Sequence, residues 1–283
     1  MGHACVIDSG GSIGGTNTAN GTTGILANGG NTGSITISGA ITIDDDIASY
    51  SDTNGDGNLD GDWGSGSDRY GIRVVGATPL TGDIRLNSTG AIHVDGTDAV
   101  GIAIEGGLVG DLTSLGEIRV LGDNVTGIHS TGTIVGDVML GGTMNSFGLN
   151  ASAAVLEGDV DGHVIIQGSL TSSGYRYTTR PADTYLADLD PDDKLQNRST
   201  VIIASDVSGG VVVDTPPTDT DTANLDEDSD GVADASETTG FIASFGAAPA
   251  VTVASTTRDI TLGMVGTGEA AFGFINHGTI SGE

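Results

Sequence analysis

The stretch STGAIHVDGTDAVGIAIEGGLVGDL, residues 88–112, is followed by SLGEIRVLGDNVTGIHSTGTIVGDV, residues 114–138, and the two align at one constant offset. Gly90, Ile92, Val94, Gly96, Gly101, Ile102, Leu108, Val109, Gly110 and Asp111 become Gly116, Ile118, Val120, Gly122, Gly127, Ile128, Ile134, Val135, Gly136 and Asp137, each 26 residues further on. Partial copies stand at GSITISGAITID from Gly33, YGIRV from Tyr70, GDIRL from Gly82, GDVDGHVIIQG from Gly158 and INHGTISG from Ile275. Each unit holds three short segments that alternate apolar and polar residues, parted by Gly, Asn or Asp. That is the pattern of half-buried strands joined by turns.

One such unit has no means of burying its own apolar face. Stacked units do, with Ile92 over Ile118 and Val94 over Val120 as each coil rises about 4.8 Å onto the last. The expected fold is therefore all-β: a right-handed, three-sided parallel β-helix forming a single domain over residues 1–283. Three acidic insertions, 44–70, 171–200 and 214–240, interrupt it. Without them roughly 200 residues remain, enough for about seven to eight coils and a rod about 35 Å long. Neither terminus offers an amphipathic capping helix, so the rod ends are expected to continue into further chain or to stack on a partner, self-association included.

Composition agrees with this picture. Forty-eight glycines and an aromatic content of 4% suit many short strands and tight turns better than long amphipathic helices. A net charge of −29 with only 9 Lys and Arg excludes a nucleic-acid partner and disfavours anionic membranes, because both need clustered cations. More than half of the 38 acidic residues fall in the three insertions, so the charge belongs to loops. The single Cys5 leaves no internal disulfide and no Cys-based zinc site. No apolar run approaches the roughly 20 residues of a membrane span, so direct membrane insertion is not expected.

The repeated GI, GTI and GD motifs, as in Gly127-Ile128, Gly132-Thr133-Ile134 and Gly136-Asp137, together with the closing NHGTISG from Asn276, resemble passenger domains of bacterial autotransporters. The inserted GYRYTTRPADTYLADLDPDDKLQ and DTPPTDTDTANLDEDSDGVAD are similar to segments of large alphaproteobacterial, sphingomonad-type members of that family. The resemblance implies a surface-exposed or secreted passenger fragment, anchored to the outer membrane through a translocating barrel that these residues do not include.

The insertions hold the candidate metal ligands. DEDSDGVADASE, residues 226–237, places carboxylates at Asp226, Asp228, Asp230, Asp234 and Glu237, the turn-forming Gly231 at the sixth position and the Val232 carbonyl at the seventh, which is the ligand spacing of a calcium loop. The alternative is a solvated acidic loop. The proline-rich stretch before it, DTPPTDTDTAN, argues against a helix-opening sensor and for calcium as a clip on the insertion. DTNGDGNLDGDW supplies Asp52, Asn54, Asp56, the Asn58 carbonyl and Asp60, similar to the calcium loops of thrombospondin-type and dockerin repeats. Its twelfth residue, Trp63, does not ligate, so Asp62 or one of Asp44, Asp45 and Asp46 is needed there; a plain glycine-rich turn is the alternative. In RPADTYLADLDPDDKLQN, Pro181, Tyr185, Leu186 and Leu189 read as one short helical flap, and Asp188, Asp190 and Asp192 as a weaker third ion site whose turn glycine is replaced by Asp193. Calcium would neutralise mutually repelling carboxylates and tie each loop down, and millimolar extracellular calcium fits sites of this kind.

Catalytic residues are harder to nominate. Asp111 and Asp137 stack as repeat equivalents and could imitate a glycosidase pair, but each follows Gly, where Asp is expected to bond local backbone in a turn. His93, His129 and His163 alternate with apolar neighbours and are expected to face solvent. The leading expectation is a non-enzymatic scaffold, an adhesin or surface-structure protein whose protruding insertions contact host or bacterial surface molecules or glycans. A calcium-dependent polysaccharide lyase or hydrolase is the first alternative, and a self-associating filament subunit the second.

Overall fold

A computed structural model describes residues 5–8, 10–16, 19–44, 64, 66–174, 197–218, 220–227 and 232–282. The strands follow one another coil by coil. β1 (Cys5–Ile7), β2 (Ser12–Gly15) and β3 (Thr23–Asn28) form the first coil; β4 (Ile35–Ile37), β5 (Ala40–Ile43), β6 (Tyr70–Val75) and the two-residue β7 (Leu80–Thr81) form the second. The third is β8 (Ile84–Leu86), β9 (Ala91–Asp95), β10 (Val100–Ile104) and β11 (Leu108–Val109), and the fourth β12 (Leu112–Ser114), β13 (Glu117–Leu121), β14 (Thr126–Ser130) and β15 (Ile134–Val135). β16 (Val138–Leu140), β17 (Thr143–Phe147) and β18 (Ser152–Leu156) make the fifth; β19 (Val164–Ile166), β20 (Ser169–Ser173) and β21 (Val201–Ile203) the sixth; β22 (Val211–Val213), β23 (Phe241–Phe245) and β24 (Val251–Val253) the seventh. β25 (Phe274–Asn276) and β26 (Thr279–Gly282) open an eighth.

Equivalent strands of successive coils pair in parallel. The first sheet runs β1-β4-β8-β12-β16-β19-β22-β25. The second runs β2-β5-β9-β13-β17-β20-β23-β26. The third runs β3-β6-β10-β14-β18-β21-β24. This is the expected parallel β-helix, with one addition. A narrow fourth sheet, β7-β11-β15, is prolonged by single bridges at Thr32, Val160, Val207 and Leu262. Its two-residue strands, such as Leu108-Val109 before Gly110-Asp111, are too short to show a period of their own in the sequence.

The register is the one the repeat demands. Ile92 pairs with Ile118 and Val94 with Val120, and all four side chains are buried in one continuous core. Burying an isoleucine fully contributes about 1.5–3 kcal/mol, so a column of them makes each coil depend on the next. The repeated GI dipeptide has a steric cause. A Cβ at Gly101 would lie 2.5 Å from the Gly127 carbonyl oxygen and 2.7 Å from Cγ2 of Ile118, so the third sheet gives up a side chain where the second sheet's isoleucine fills the space.

Carboxylates lock the corners between coils. The Asp83 amide donates to Ser34 Oγ (3.0 Å), the Asp111 amide to Asp83 Oδ1 (3.0 Å), the Asp137 amide to Asp111 Oδ1 (2.8 Å) and the His163 amide to Asp137 Oδ1 (2.7 Å). A second ladder passes from Asp159 to the Asp206 amide (3.1 Å) and from Asp206 to the Thr261 amide (2.5 Å). The turn role expected of Asp111 and Asp137 is thus met in a different way: each bonds the backbone of the neighbouring coil, not its own turn. Arg258 straddles the second ladder, donating to Asp159 and lying 3.8 Å from Asp206. The histidines lie on the outer face as expected, His163 exposed and His93 and His129 part exposed, and each also lies against a carboxylate of an adjacent coil: Glu117 (3.4 Å), Glu157 (3.1 Å) and Asp137 (3.3 Å).

The three insertions leave the coils at corners, and each is closed at its root. Segments 44–69 and 174–200 lie between the second and third sheets; 214–240 lies between the first and second. β20 continues through Ser173, so the second excursion starts later than the repeat pattern implies. At the root of the first, Ser67 bridges Thr97 and the Arg69 guanidinium donates to the Asp95 carbonyl (2.8 Å). At the second, the buried hydroxyls of Ser172 and Thr200 meet at 2.6 Å and Thr200 donates on to the Ala243 carbonyl. At the third, the Gly240 amide donates to the Asp214 carbonyl (2.7 Å) and Thr238 to that of Gln167 (2.5 Å).

Replacing Asp137 by Ala removes the acceptor for the His163 amide and is expected to cost about 1 kcal/mol in urea unfolding, whereas Asp137→Asn, which keeps a side-chain oxygen, should cost clearly less. The Arg258 hydrogen bond holds the Asp159 carboxyl below its ordinary value of 3.8. A carboxyl that titrates lower folded than unfolded stabilises the fold above the unfolded value and loses that contribution as pH falls through the folded one. The difference in urea midpoint between the wild type and Arg258→Gln should therefore be present at neutral pH and vanish well below pH 3.8.

Candidate functional site

The outer face of the third sheet carries an open groove of about 450 Å³. Its position follows from local sequence. The corner into the third sheet is built on Gly-x-Asx: Gly66-Ser67-Asp68, Gly96-Thr97-Asp98, Gly122-Asp123-Asn124 and Gly148-Leu149-Asn150. The Asx residue is left-handed each time, with φ of 57°, 56°, 59° and 58°. Asp and Asn tolerate this conformation because their short polar side chains bond locally. Repetition at the same place in successive coils turns four turns into one row of carboxylates and amides along the rod, and the Asn150 amide donates to Asn124 Oδ1 (3.0 Å).

Asp68, Asp98 and Asn124 of this row form one wall of the groove. Val100, Ala103 and Thr126 lie along its floor, and Glu105, His129 and Thr131 stand at the opposite side. Tyr70 lies at one end, with the Arg73 guanidinium 4.1 Å above its ring centroid. Arg73 is fixed in turn by a two-pronged bond to Glu105, Nε to Oε1 at 2.8 Å and Nη2 to Oε2 at 3.1 Å. Burial pushes the Tyr70 phenol above its ordinary value, with the Arg73 charge pulling the other way. Arg198, which enters as the chain returns from the second insertion, donates to Thr126 Oγ1 (3.3 Å). Burial lowers its pKa, partly offset by the Glu157 charge. The groove thus combines an apolar floor, a braced aromatic ring and convergent polar groups, which is the composition of a small-molecule or saccharide site.

Of the candidate calcium ligands, Asp52, Asn54, Asp56, Asn58 and Asp60 lie outside the described residues, as do Asp228, Asp230, the third ion candidates and the expected helical flap. Asp226, Val232, Asp234 and Glu237 are described. Val232 is buried, and Asp234 opens a single 3-10 turn, Asp234–Ser236, so no helix follows the loop. Asp234 Oδ1 accepts the Glu227 amide (3.1 Å), and the Asp234 amide donates to the Leu225 carbonyl (2.9 Å). Glu227 Oε1 accepts the amides of Thr220 and Asp221 (each 2.8 Å) and the Thr220 hydroxyl (2.9 Å). These bonds, the Thr220 amide first, hold the Glu227 carboxyl below its ordinary value. The second residue of the loop, absent from the calcium pattern, therefore anchors the insertion's incoming segment at Thr220 and Asp221. Among the described residues no group of three or more His, Cys, Asp or Glu is arranged to hold a metal ion.

Among the described residues no helix is long and apolar enough to cross a membrane. No known family, curated protein or solved structure matches the chain. The groove is not among the sites expected from the sequence. Its signal was nevertheless present: Gly-x-Asx recurs at the 26-residue offset and once more at the end of the first insertion.

If the acidic loops bind calcium, calorimetric titration of the chelator-treated protein gives a stoichiometry of at least two, reduced by one in Asp228→Ala and by one in Asp56→Ala. Heats indistinguishable from dilution at millimolar calcium would leave both insertions as solvated acidic loops.

Proposed function

We propose that this chain is a non-enzymatic β-helix scaffold of the autotransporter passenger type, exposed on the bacterial surface or secreted, which holds an extended saccharide in the groove of the third sheet while calcium fixes its acidic insertions. The observation that supports this most is the position of the groove. It lies on an in-register parallel sheet, at the corner where two of the three insertions return to the coil, and it pairs a braced aromatic ring with a line of amide, hydroxyl and carboxylate groups. Solenoid faces present such groups at a fixed spacing of about 4.8 Å, suited to a polymer with a repeat of its own.

A second reading, a polysaccharide hydrolase, draws on Asp68 and Asp98. They sit one coil apart in the same wall, where the Ser67 to Thr97 bridge sets their neighbours side by side. Retaining glycosidases place two carboxyls about 5–5.5 Å apart.

The test is a glycan-array screen of the intact protein with and without calcium, paired with mass analysis of the bound sugars. Retention of an intact oligosaccharide, weakened about tenfold or more by Tyr70→Ala, is the expected result. Shortened or unsaturated products would replace the scaffold with the enzyme, and an array with no bound saccharide would remove the groove's role.

A further inference from the structure

Resting on that reading of the groove, we propose that the saccharide it takes carries free amino groups, held as ammonium ions by Asp68 and Asp98 with a pyranose ring against Tyr70. The charges in the groove are unevenly compensated. Glu105 is neutralised by the two-pronged bond from Arg73, and His129 lies against Glu157 at 3.1 Å. Arg198 donates to the neutral Thr126 hydroxyl, and its charge is met in part by that of Glu157. Along the opposite wall, among the described residues, the Asp68 carboxylate accepts the neighbouring Ser67 hydroxyl (3.0 Å) and no Lys, Arg or His comes within 4 Å of the Asp68 or Asp98 carboxylate, although the Arg73 charge beside Tyr70 is felt at Asp68.

The two carboxylates are carried on backbones one coil, about 4.8 Å, apart, and like charges so placed repel each other. Their left-handed backbone keeps both at the same corner position of successive coils. A protonated amine placed between them relieves that repulsion with charge-assisted hydrogen bonds, roughly twice as strong as neutral ones. Anionic sugars meet this wall and a net charge of −29, so uronate polymers are rejected electrostatically. Neutral sugars keep the contacts with Val100, Ala103 and Tyr70 but leave the carboxylates uncompensated. The ligand class these features select is an amino sugar polymer with unblocked nitrogen, such as a deacetylated glucosamine chain.

The experiment is calorimetric titration of the intact protein with three probes at physiological salt: a β-1,4-linked glucosamine tetrasaccharide, its fully N-acetylated counterpart and a galacturonic acid tetrasaccharide. It is repeated on Asp68→Asn, Asp98→Asn, Tyr70→Ala and Asp137→Asn. Asn tolerates the left-handed turn, so the first two variants keep the fold, and Asp137→Asn reports on an exposed carboxylate of the Asp83 to His163 ladder, which the groove lining does not include. The expected result is one glucosamine oligomer bound per chain, about tenfold or more tighter than the acetylated form. Each of Asp68→Asn and Asp98→Asn should weaken it about tenfold, with no change for Asp137→Asn and no binding of the galacturonate. Equal weakening by Asp137→Asn, or several oligomers per chain, would mean diffuse attraction to a polyanion and overturn the proposal. Acetylated and free forms binding alike, through Tyr70, would overturn the amine while leaving the saccharide groove intact. Silence from all three probes, joined to an empty glycan array, would overturn both.

Discussion

Everything in this molecule depends on one constraint: a coil too thin to shelter its own apolar residues must lie in register on the next. Ile92 is dry because Ile118 lies beside it, and Ile118 because Met144 does. A side chain every second residue means that a slip of one position would turn a whole inner column outward. The constant 26-residue offset is the sequence expression of that requirement. Extra residues are admitted only where the offset can be restored before the next strand. The three long excursions meet that condition at corners, with hydrogen bonds across their roots. Loop length then matters little to stability, since closure entropy grows only with its logarithm.

The acidic character of the chain looks different once the coils are stacked. Some carboxylates are structural parts of the rod. Those of Asp83, Asp111, Asp137, Asp159 and Asp206 each accept an amide from the following coil. Three of the arginines act as clamps. Arg73 joins Tyr70 to Glu105, Arg69 ties the root of the first insertion and Arg258 bridges two rungs of one ladder. By sequence, most of the remaining acidic residues fall in the insertions, and Asp68 and Asp98 stand in the Asx row of the third sheet.

The fold was legible because its cause is periodic. Three alternating segments and a fixed offset specify three sheets, and Gly101-Ile102 repeating as Gly127-Ile128 records the close approach of two of them. The fourth sheet was not legible, since a two-residue strand such as Leu108-Val109 has no alternation to detect. The partners of Asp111 and Asp137 were misjudged for a related reason: a turn residue is ordinarily read against its own turn, and in a stacked coil the nearest free amide belongs to the neighbour. The histidines alternate as outward residues should, but their carboxylate partners, Glu117, Glu157 and Asp137, stand 24, 28 and 26 residues away, a separation that only the coil brings together. The groove was hidden in plain turn chemistry, because Gly-x-Asx gives no sign of function until its copies are seen to form a row. The acidic loops with calcium-ligand spacing, the plainest motifs in the sequence, fall largely outside the described residues.

The closed roots of the insertions also bear on heredity. A unit of 26 residues can be duplicated within the gene and enter the stack without disturbing any loop, lengthening the rod by about 4.8 Å per copy. A loop tied off at its base can be exchanged without changing the number of units. Reach and specificity are therefore separate inherited traits in this architecture, so a lineage can vary how far the molecule extends and what its loops meet without trading one against the other.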